Sequence, residues 1–218
     1  MTHTLNRTGL SENRPGEEIV FLAMVQRAQR GQKIEAMGEI INTVLKYKPL
    51  NILGRPGGLA DERIRQVMPR AGIVTAVFND LETVRRLVAE LKEKKPGISV
   101  VLSGLFPDVR CICEEAGLRE HTHNISLGVF GRTDRLPDEK TREITTQCGH
   151  ALISRHYVDS VLKKIGRGKM TAEEGAALLV KPCVCGIGNP ERIARLLEAM
   201  VRSQKQECRT SPRPDQSR

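Results

Sequence analysis

Two cysteines and two glycines lie close together in the segment 181–190, which reads KPCVCGIGNP and joins two predicted helices. Glycine has no side chain, so it lets backbone N–H groups approach a ligand closely. Asn189 and Pro190 are typical of a helix start, which would direct the positive end of that helix toward Cys183 and Cys185. Such surroundings favour thiolates and supply N–H donors to sulfur. The segment therefore predicts a bound metal ion or iron–sulfur cluster.

Two cysteines do not complete a metal site, and the segment 145–150 offers the nearest further ligands. It reads TTQCGH and ends another predicted helix. Cys148, Cys183 and Cys185 would supply three sulfur ligands, and His150 would make the set Cys₃His, an accepted structural zinc arrangement. The spacing differs from the paired CxxC motifs of zinc ribbons and from the CxxCxxC run of ferredoxins. The alternative is that the cysteines are small residues filling a tight turn, since free cysteine is often a core residue.

A second candidate site lies in the loops 54–58, 103–107 and 131–134, each of which follows a predicted strand. In open parallel sheets ligands bind beyond the carboxyl ends of the strands, and His121 and His123 could contribute to such a pocket. None of the loops matches GxGxxG or the P-loop, and ordinary turn chemistry explains their glycines equally well. The alternative function is therefore a metal-free enzyme or binding domain for a small anionic metabolite. Its candidate binding residues are Arg55, Ser103, Gly104 and Arg132.

A further Cys-x-Cys pair, Cys111 and Cys113, falls inside a predicted helix. Residues two apart point about 200° apart around a helix, so the two thiols do not readily hold one ion. We expect one of them to pack against the sheet, and their role stays open at this point.

The composition excludes several classes of function. The 218 residues carry 35 Lys and Arg against 26 Asp and Glu, a net charge of +9. The excess falls mainly in residues 151–170 and after residue 201, and two Tyr, four Phe and no Trp leave no aromatic platform for unpaired bases. We therefore expect no nucleic-acid partner. No apolar run is long enough to span a bilayer and residues 1–15 lack the apolar core of a signal peptide, so we expect a cytoplasmic protein with reduced cysteines and no membrane contact.

Hydrophobic periodicity predicts an α/β fold, whose helices and strands would position the candidate site residues. After two helices, over 17–30 and 32–48, short apolar runs alternate with amphipathic helices, the pattern of βαβ units and a small, mostly parallel sheet with flanking helices. The predicted strands are 51–53, 73–78, 98–102 and 124–130, and the helices between them are 61–67, 80–95 and 108–116. After Gly131 only helices are predicted, which form a helical C-terminal unit. They cover 137–146, 151–165, 171–180 and 190–202.

The same pattern divides the chain into segments. Hydrophobic residues make up 39% of the chain, which is enough for a core, so we predict disorder only at the ends. The segments are a flexible N-terminus (1–16), an α/β domain (17–134), a helical cysteine-containing unit packed on it (135–202) and a disordered tail (203–218).

Three stretches of the C-terminal half resemble the sequences of a known protein family. They are CGHALIS at 148–154, GKMTAEEGA at 168–176 and the cysteine segment 181–190, and together they resemble the methanogenesis marker protein 8 family of methanogens and other anaerobes. The resemblance is clearest over 98–198. It implies an accessory role in anaerobic one-carbon metabolism, with a protein partner in a redox or coenzyme M-related system, and it favours an iron–sulfur cluster over zinc because low oxygen protects an exposed cluster. The family has no established activity, so whether the chain is an enzyme stays open.

Overall fold

The computed structural model describes the backbone of residues 4–210 and the side chains of residues 4–206. In that range four strands form one sheet and eight α-helices flank it. The strands are β1 (Ile19–Met24), β2 (Asn51–Ile52), β3 (Ile73–Phe78) and β4 (Val100–Ser103). The helices are α1 (Ile34–Lys46), α2 (Asp61–Ala71), α3 (Leu81–Lys94), α4 (Phe106–Glu115), α5 (Glu139–Thr145), α6 (Arg155–Gly166), α7 (Ala172–Val180) and α8 (Pro190–Thr210).

The sheet is antiparallel throughout, so the prediction of a mostly parallel sheet is wrong. Its strand order is β2-β3-β1-β4, and each neighbouring pair is antiparallel. Strands β3 and β4 run in the same direction, as a βαβ unit predicts. They are not neighbours, however, because β1 lies between them and hydrogen-bonds to both.

Strand β1 lies inside the sheet, where the sequence predicts a helix over 17–30. Its residues read IVFLAM, and the first five are buried. A continuous apolar run fits a buried strand and a buried helix equally well, because it has no polar residues at a regular period. The pairing with β3 and β4, which are distant in sequence, determines the strand. Only the last part of the predicted helix, residues 27–30, is helical, within a 3-10 helix over Arg27–Lys33.

Alternate residues of β1 enter two separate cores, because successive side chains of a strand point to opposite faces of the sheet. Ile19 and Phe21 belong to the core that also contains buried side chains of α1, α2, α3 and α4. Val20 belongs to the core formed with α5, α6, α7 and α8. The helical C-terminal unit thus packs on the second face of the sheet.

The helix predictions after residue 31 are confirmed in position. Each predicted helix from 32–48 to 190–202 overlaps a helix of the structure. Thr171 and Glu174 form the capping box that their spacing predicts, since each side chain accepts a hydrogen bond from the other residue's backbone N–H. None of the described helices has both the length and the apolar composition needed to cross a membrane.

The predicted strand 124–130 is wrong. No strand forms there, and the alternating Ile125, Leu127 and Val129 side chains are exposed, Leu127 to 82%. Gly128 and Gly131 adopt φ angles of 101° and 93°, which turn the chain out of the extended conformation that a strand requires.

Both ends of the chain differ from the flexible segments that the sequence predicts. In the predicted flexible N-terminus, Thr4 and the side chain of Arg7 are buried, and Arg7 forms an ion pair with Glu18. Helix α8 continues to Thr210, so the predicted tail begins as helix. The remaining parts of the two predicted segments, residues 1–3 and 211–218, lie outside the described residues.

Candidate metal centre

The turn between α5 and α6 positions Cys148 and His150. The Cys148 N–H donates to the Thr145 carbonyl where α5 ends, and the Ala151 N–H donates to the Cys148 carbonyl. Ala151 has a φ of 56°, a left-handed conformation that reverses the chain. Cys148 is buried and His150 is exposed. The turn therefore holds a thiol in the interior and an imidazole at the surface.

The turn between α7 and α8 positions the other two predicted ligands. The Cys183 N–H donates to the Val180 carbonyl, and the Gly186 N–H donates to the Cys183 carbonyl. Cys183 is buried, whereas Cys185 is half-buried. This turn therefore also carries one interior thiol and one thiol near the surface.

Gly186 packs directly on the backbone of β2. A β-carbon added to Gly186 would lie 2.1 Å from the carbonyl carbon of Ile52, and its φ of 62° strains any residue with a side chain. We expect Gly186→Ala to lower the free energy of unfolding by about 2–4 kcal/mol, measured by chemical denaturation. Gly168→Ala is the matched control, because Gly168 has a φ of 68° but no atom within 4 Å of the added carbon. It should lose only about 1 kcal/mol, and equal losses would contradict the steric reason.

The two turns meet, and the predicted ligands lie at the point of contact. Cys148 and Cys183 shift each other's pKa, so their thiols face each other across the two turns. The Sγ of Cys185 lies 3.5 Å from Nδ1 of His150. The electrostatic effect of His150 lowers the pKa of Cys148. The charge of Cys148 in turn raises the pKa of Cys185. The assignment of these four residues as ligands of a metal or cluster stays a prediction.

The cluster stabilises one thiolate. The Cys183 thiol donates to the Cys148 sulfur, and the backbone N–H groups of Leu152 and His150 also donate to it; together they lower the pKa of Cys148 to about 5. The same hydrogen bond, together with burial, raises the pKa of Cys183. Burial and the neighbouring Cys148 charge raise the pKa of Cys185. The pair of interior thiols therefore releases its first proton easily and retains the second.

In the metal-free protein, we expect the ultraviolet absorbance of one thiolate to titrate with a midpoint at pH about 5, the pKa of Cys148. Because this pKa lies below the value of about 8.5 of an unfolded thiol, the Cys148 thiolate contributes its full stabilisation only above about pH 8.5, and the contribution is lost as the pH falls from there to about 5. Cys148→Ser should abolish the midpoint and Cys113→Ser should leave it unchanged. A first thiolate that appears only above pH 8 would contradict the assignment.

Three buried side chains fasten the two turns to each other and to the sheet. Arg7 donates to the carbonyl of Gln147 at 2.8 Å and to the carbonyl of Ile187 at 2.6 Å, so one guanidinium joins both turns. The Gln147 side chain accepts from the Asn189 N–H at 2.9 Å. Asn51 of β2 donates to the Gly188 carbonyl at 3.2 Å. These contacts restrict the backbone next to the cysteines.

Arg7 is a part of this site that could not be identified from the sequence. Its partners are backbone carbonyls, which any residue provides, and they lie 140 and 180 residues later in the chain. Gln147 could have been found, because it precedes Cys148 directly and a buried amide needs hydrogen-bond partners.

No three His, Cys, Asp or Glu residues in the described part of the chain are arranged so that they could hold a metal ion as they stand. Cys148 and Cys183 shift each other's pKa, whereas the Cys185 sulfur contacts His150. Metal binding at this cluster therefore requires side-chain rotation.

The strand-end loops do not assemble into one anion site. Strands β2 and β4 are the two edges of the sheet, and they run in opposite directions. Arg55 follows β2, whereas Ser103 and Gly104 lie at the end of β4, so these residues are separated both across and along the sheet. Arg132 lies on the irregular segment after residue 124, where it forms an exposed ion pair with Asp134.

The polar groups of these loops already have partners within the protein. Arg55 donates to the Pro49 carbonyl at 2.9 Å and to Asp61 at 2.8 Å. The Ser103 hydroxyl is hydrogen-bonded to the Thr4 hydroxyl at 2.9 Å. The loops therefore offer no convergent set of donors.

The remaining candidate residues lie away from the cluster. Cys111 and Cys113 lie on α4 as predicted, and Arg85 donates to the Cys111 sulfur at 3.0 Å. His121 and His123 are exposed, and the His123 ring contacts the ring of Phe106. Neither pair joins a further set of ligands among the described residues.

Comparisons with known proteins leave the identity open. No family model, curated protein or solved structure matches this chain. The resemblance to the methanogenesis marker protein 8 family therefore stays a prediction.

Proposed function

We propose that the protein binds a single metal ion through Cys148, Cys183, Cys185 and His150. The observation that carries the proposal is that two separate turns bring three thiols and one imidazole together. The resulting Cys₃His set suits Zn²⁺, which prefers thiolate and imidazole ligands in tetrahedral sites.

The contact between Cys185 and His150 supports a single ion. Their Sγ and Nδ1 atoms are 3.5 Å apart. With a Zn–S bond of about 2.3 Å and a Zn–N bond of about 2.0 Å, tetrahedral geometry separates a sulfur and a nitrogen ligand by about 3.5 Å. The pair therefore has the spacing of two ligands of one ion, and rotation of the Cys148 and Cys183 side chains toward it would complete the set.

The mutual pKa effect of Cys148 and Cys183 places their thiols side by side, which favours an ion over a cluster. An iron–sulfur cluster places several irons and sulfides between its thiolates, which separates the ligand sulfurs more widely than neighbouring thiols are. Of the two cofactors expected from the sequence, the geometry thus favours zinc over the iron–sulfur cluster that the resemblance implies.

Four protein ligands would leave no open position on the metal. Catalytic zinc retains such a position for water or substrate, whereas structural zinc does not. The ion would therefore join the α5–α6 turn to the α7–α8 turn. This supports a structural role of the metal in an accessory protein rather than catalysis at the metal.

The test is purification without oxygen, followed by quantitative zinc, iron and sulfide analysis of one sample. We expect one zinc per chain and no sulfide. Replacement of zinc by Co²⁺ should give the thiolate-to-metal charge-transfer absorption of a tetrahedral site. Cys185→Ser should weaken this absorption, whereas Cys113→Ser on α4 should retain it as the matched control.

Two outcomes would overturn the proposal. Iron and sulfide in equal amounts would replace the single ion by a cluster. A wild-type protein that binds neither zinc nor cobalt would show that these residues are not metal ligands. The same conclusion would follow if Cys183→Ser and Cys185→Ser bound the metal as tightly as the wild-type protein does.

A further inference from the structure

Strand β4 is an unpaired edge of the sheet. It pairs with β1 on one side, and within the described part of the chain no further backbone hydrogen bond involves residues 100–103. Its sequence, VVLS, contains neither a charged residue nor proline, which are the residues that usually prevent pairing at an edge. The opposite edge, β2, differs because Gly186 packs on its backbone. Strand β4 therefore presents a row of N–H and C=O groups that a further strand can use.

The segment 124–130 has the sequence pattern of a strand but no strand partner. It reads NISLGVF and contains no charged residue and no proline. Ile125, Leu127 and Val129 alternate along it, and they are 61%, 82% and 54% exposed. None of its backbone groups has a backbone hydrogen-bond partner among the described residues. Such a segment gains apolar burial and main-chain hydrogen bonds when it pairs with the edge of a sheet.

Within its own chain this segment does not pair with β4. Ser126 donates to the side chain of Asn6 at 2.6 Å. Two residues before Asn6, the Thr4 hydroxyl is hydrogen-bonded to the hydroxyl of Ser103, the last residue of β4, at 2.9 Å. The segment thus approaches the sheet near the end of β4. Gly128 bends it with a φ of 101°, and a glycine can also adopt the extended conformation without steric cost.

We propose that the protein forms a dimer in which the segment 124–130 of each copy lies as an added strand along β4 of the other copy. The occupant of each edge is a second copy because one chain carries both halves of the contact, an unpaired edge and an uncharged strand-forming segment. A reciprocal exchange uses both edges and both segments, so the assembly closes at two copies. The dimer does not depend on the proposed metal site.

The contact has the size that a stable dimer needs. Four large apolar side chains within six residues are each more than half exposed, which is typical of an interaction site rather than of isolated surface residues. They are Ile125, Leu127, Val129 and Phe130. Covering them in both copies, together with the matching surface of the two edges, would bury on the order of 1,600 Å², the area of a standard protein–protein interface.

The experiment measures the mass of the full-length protein by sedimentation equilibrium over a range of concentrations, with a thiol reductant that prevents intermolecular disulfides. We expect a dimer, and on its formation the amides of 100–103 and 124–130 should exchange hydrogen at least about tenfold more slowly. Val129→Asp should raise the Kd of the dimer at least about tenfold, because it places a carboxylate in each apolar contact. Val184→Asp is the matched control, since Val184 is 59% exposed on the α7–α8 turn, and this variant should dimerise as the wild-type protein does.

Three results would overturn the dimer or its interface. The first is a monomer at every concentration. The second is a dimer in which residues 100–103 exchange as fast as in the monomer, or which Val129→Asp leaves as tight as in the wild-type protein. The third is protection of 124–130 that does not change with concentration, because the segment would then pair within its own chain. None of these results involves zinc, so the dimer and the metal site are tested separately.

Discussion

Glu18→Gln should lower the free energy of unfolding by about 3–5 kcal/mol, because it removes the carboxylate shared by two buried arginines. Glu18 accepts hydrogen bonds from Arg7 and from Arg192, and the side chains of all three are at most 4% exposed. An amide in place of the carboxylate leaves two guanidinium charges in the interior with much less compensation. The remaining carboxylate near Arg192 is that of Glu143, at 3.5 Å.

Urea denaturation at neutral pH measures this loss. Glu198→Gln is the matched control, because Glu198 also pairs with an arginine, Arg202, but both partners are exposed. An exposed ion pair contributes little, so the control should lose less than about 0.5 kcal/mol. Losses of similar size in the two variants would show that Glu18 is not the essential partner of the buried arginines.

Saturating zinc should raise the free energy of unfolding by about 4 kcal/mol at a thousandfold excess over its dissociation constant, since it binds the folded state. The gain should decrease as the pH falls, because the thiolates and the imidazole must lose their protons to bind the ion. The measurement is denaturation with zinc and with a chelator at several pH values.

Cys183→Ser should abolish this gain, because it removes an interior ligand. Cys113→Ser retains four ligands and should show the full gain. Equal stabilisation of all three proteins would mean that zinc binds elsewhere, and no stabilisation of the wild-type protein would contradict the metal site.

The cysteine cluster could be predicted from short stretches of sequence. Cys148 and Cys183 each follow a predicted helix, and a turn after a helix determines locally where its thiol points. The two turns meet as soon as the helices between them, α6 and α7, form a compact hairpin. The supporting contacts of Arg7 and Asn51 could not be predicted, because their acceptors are backbone carbonyls without a sequence signal.

The sheet was harder to predict than the helices for a related reason. Amphipathic helices such as α3 carry their own periodic signal, whereas the buried strand β1 carries none and is determined by strands far along the chain. Once β1 is taken for a helix, β3 and β4 become neighbours and a parallel sheet follows. A single misassigned segment thus changes the topology.

The contacts of Arg7 have a consequence for the order in which the protein matures. This arginine emerges from the ribosome 180 residues before its acceptor in the second turn, the Ile187 carbonyl. At a synthesis rate of about 5–20 residues per second, that interval lasts roughly 10–35 s. Cys148 precedes Cys183 by 35 residues, so its thiol waits roughly 2–7 s for Cys183, and its protection depends on the reducing conditions of the surroundings. Assembly of the cluster therefore follows the synthesis of the sheet and of helices α1 to α7.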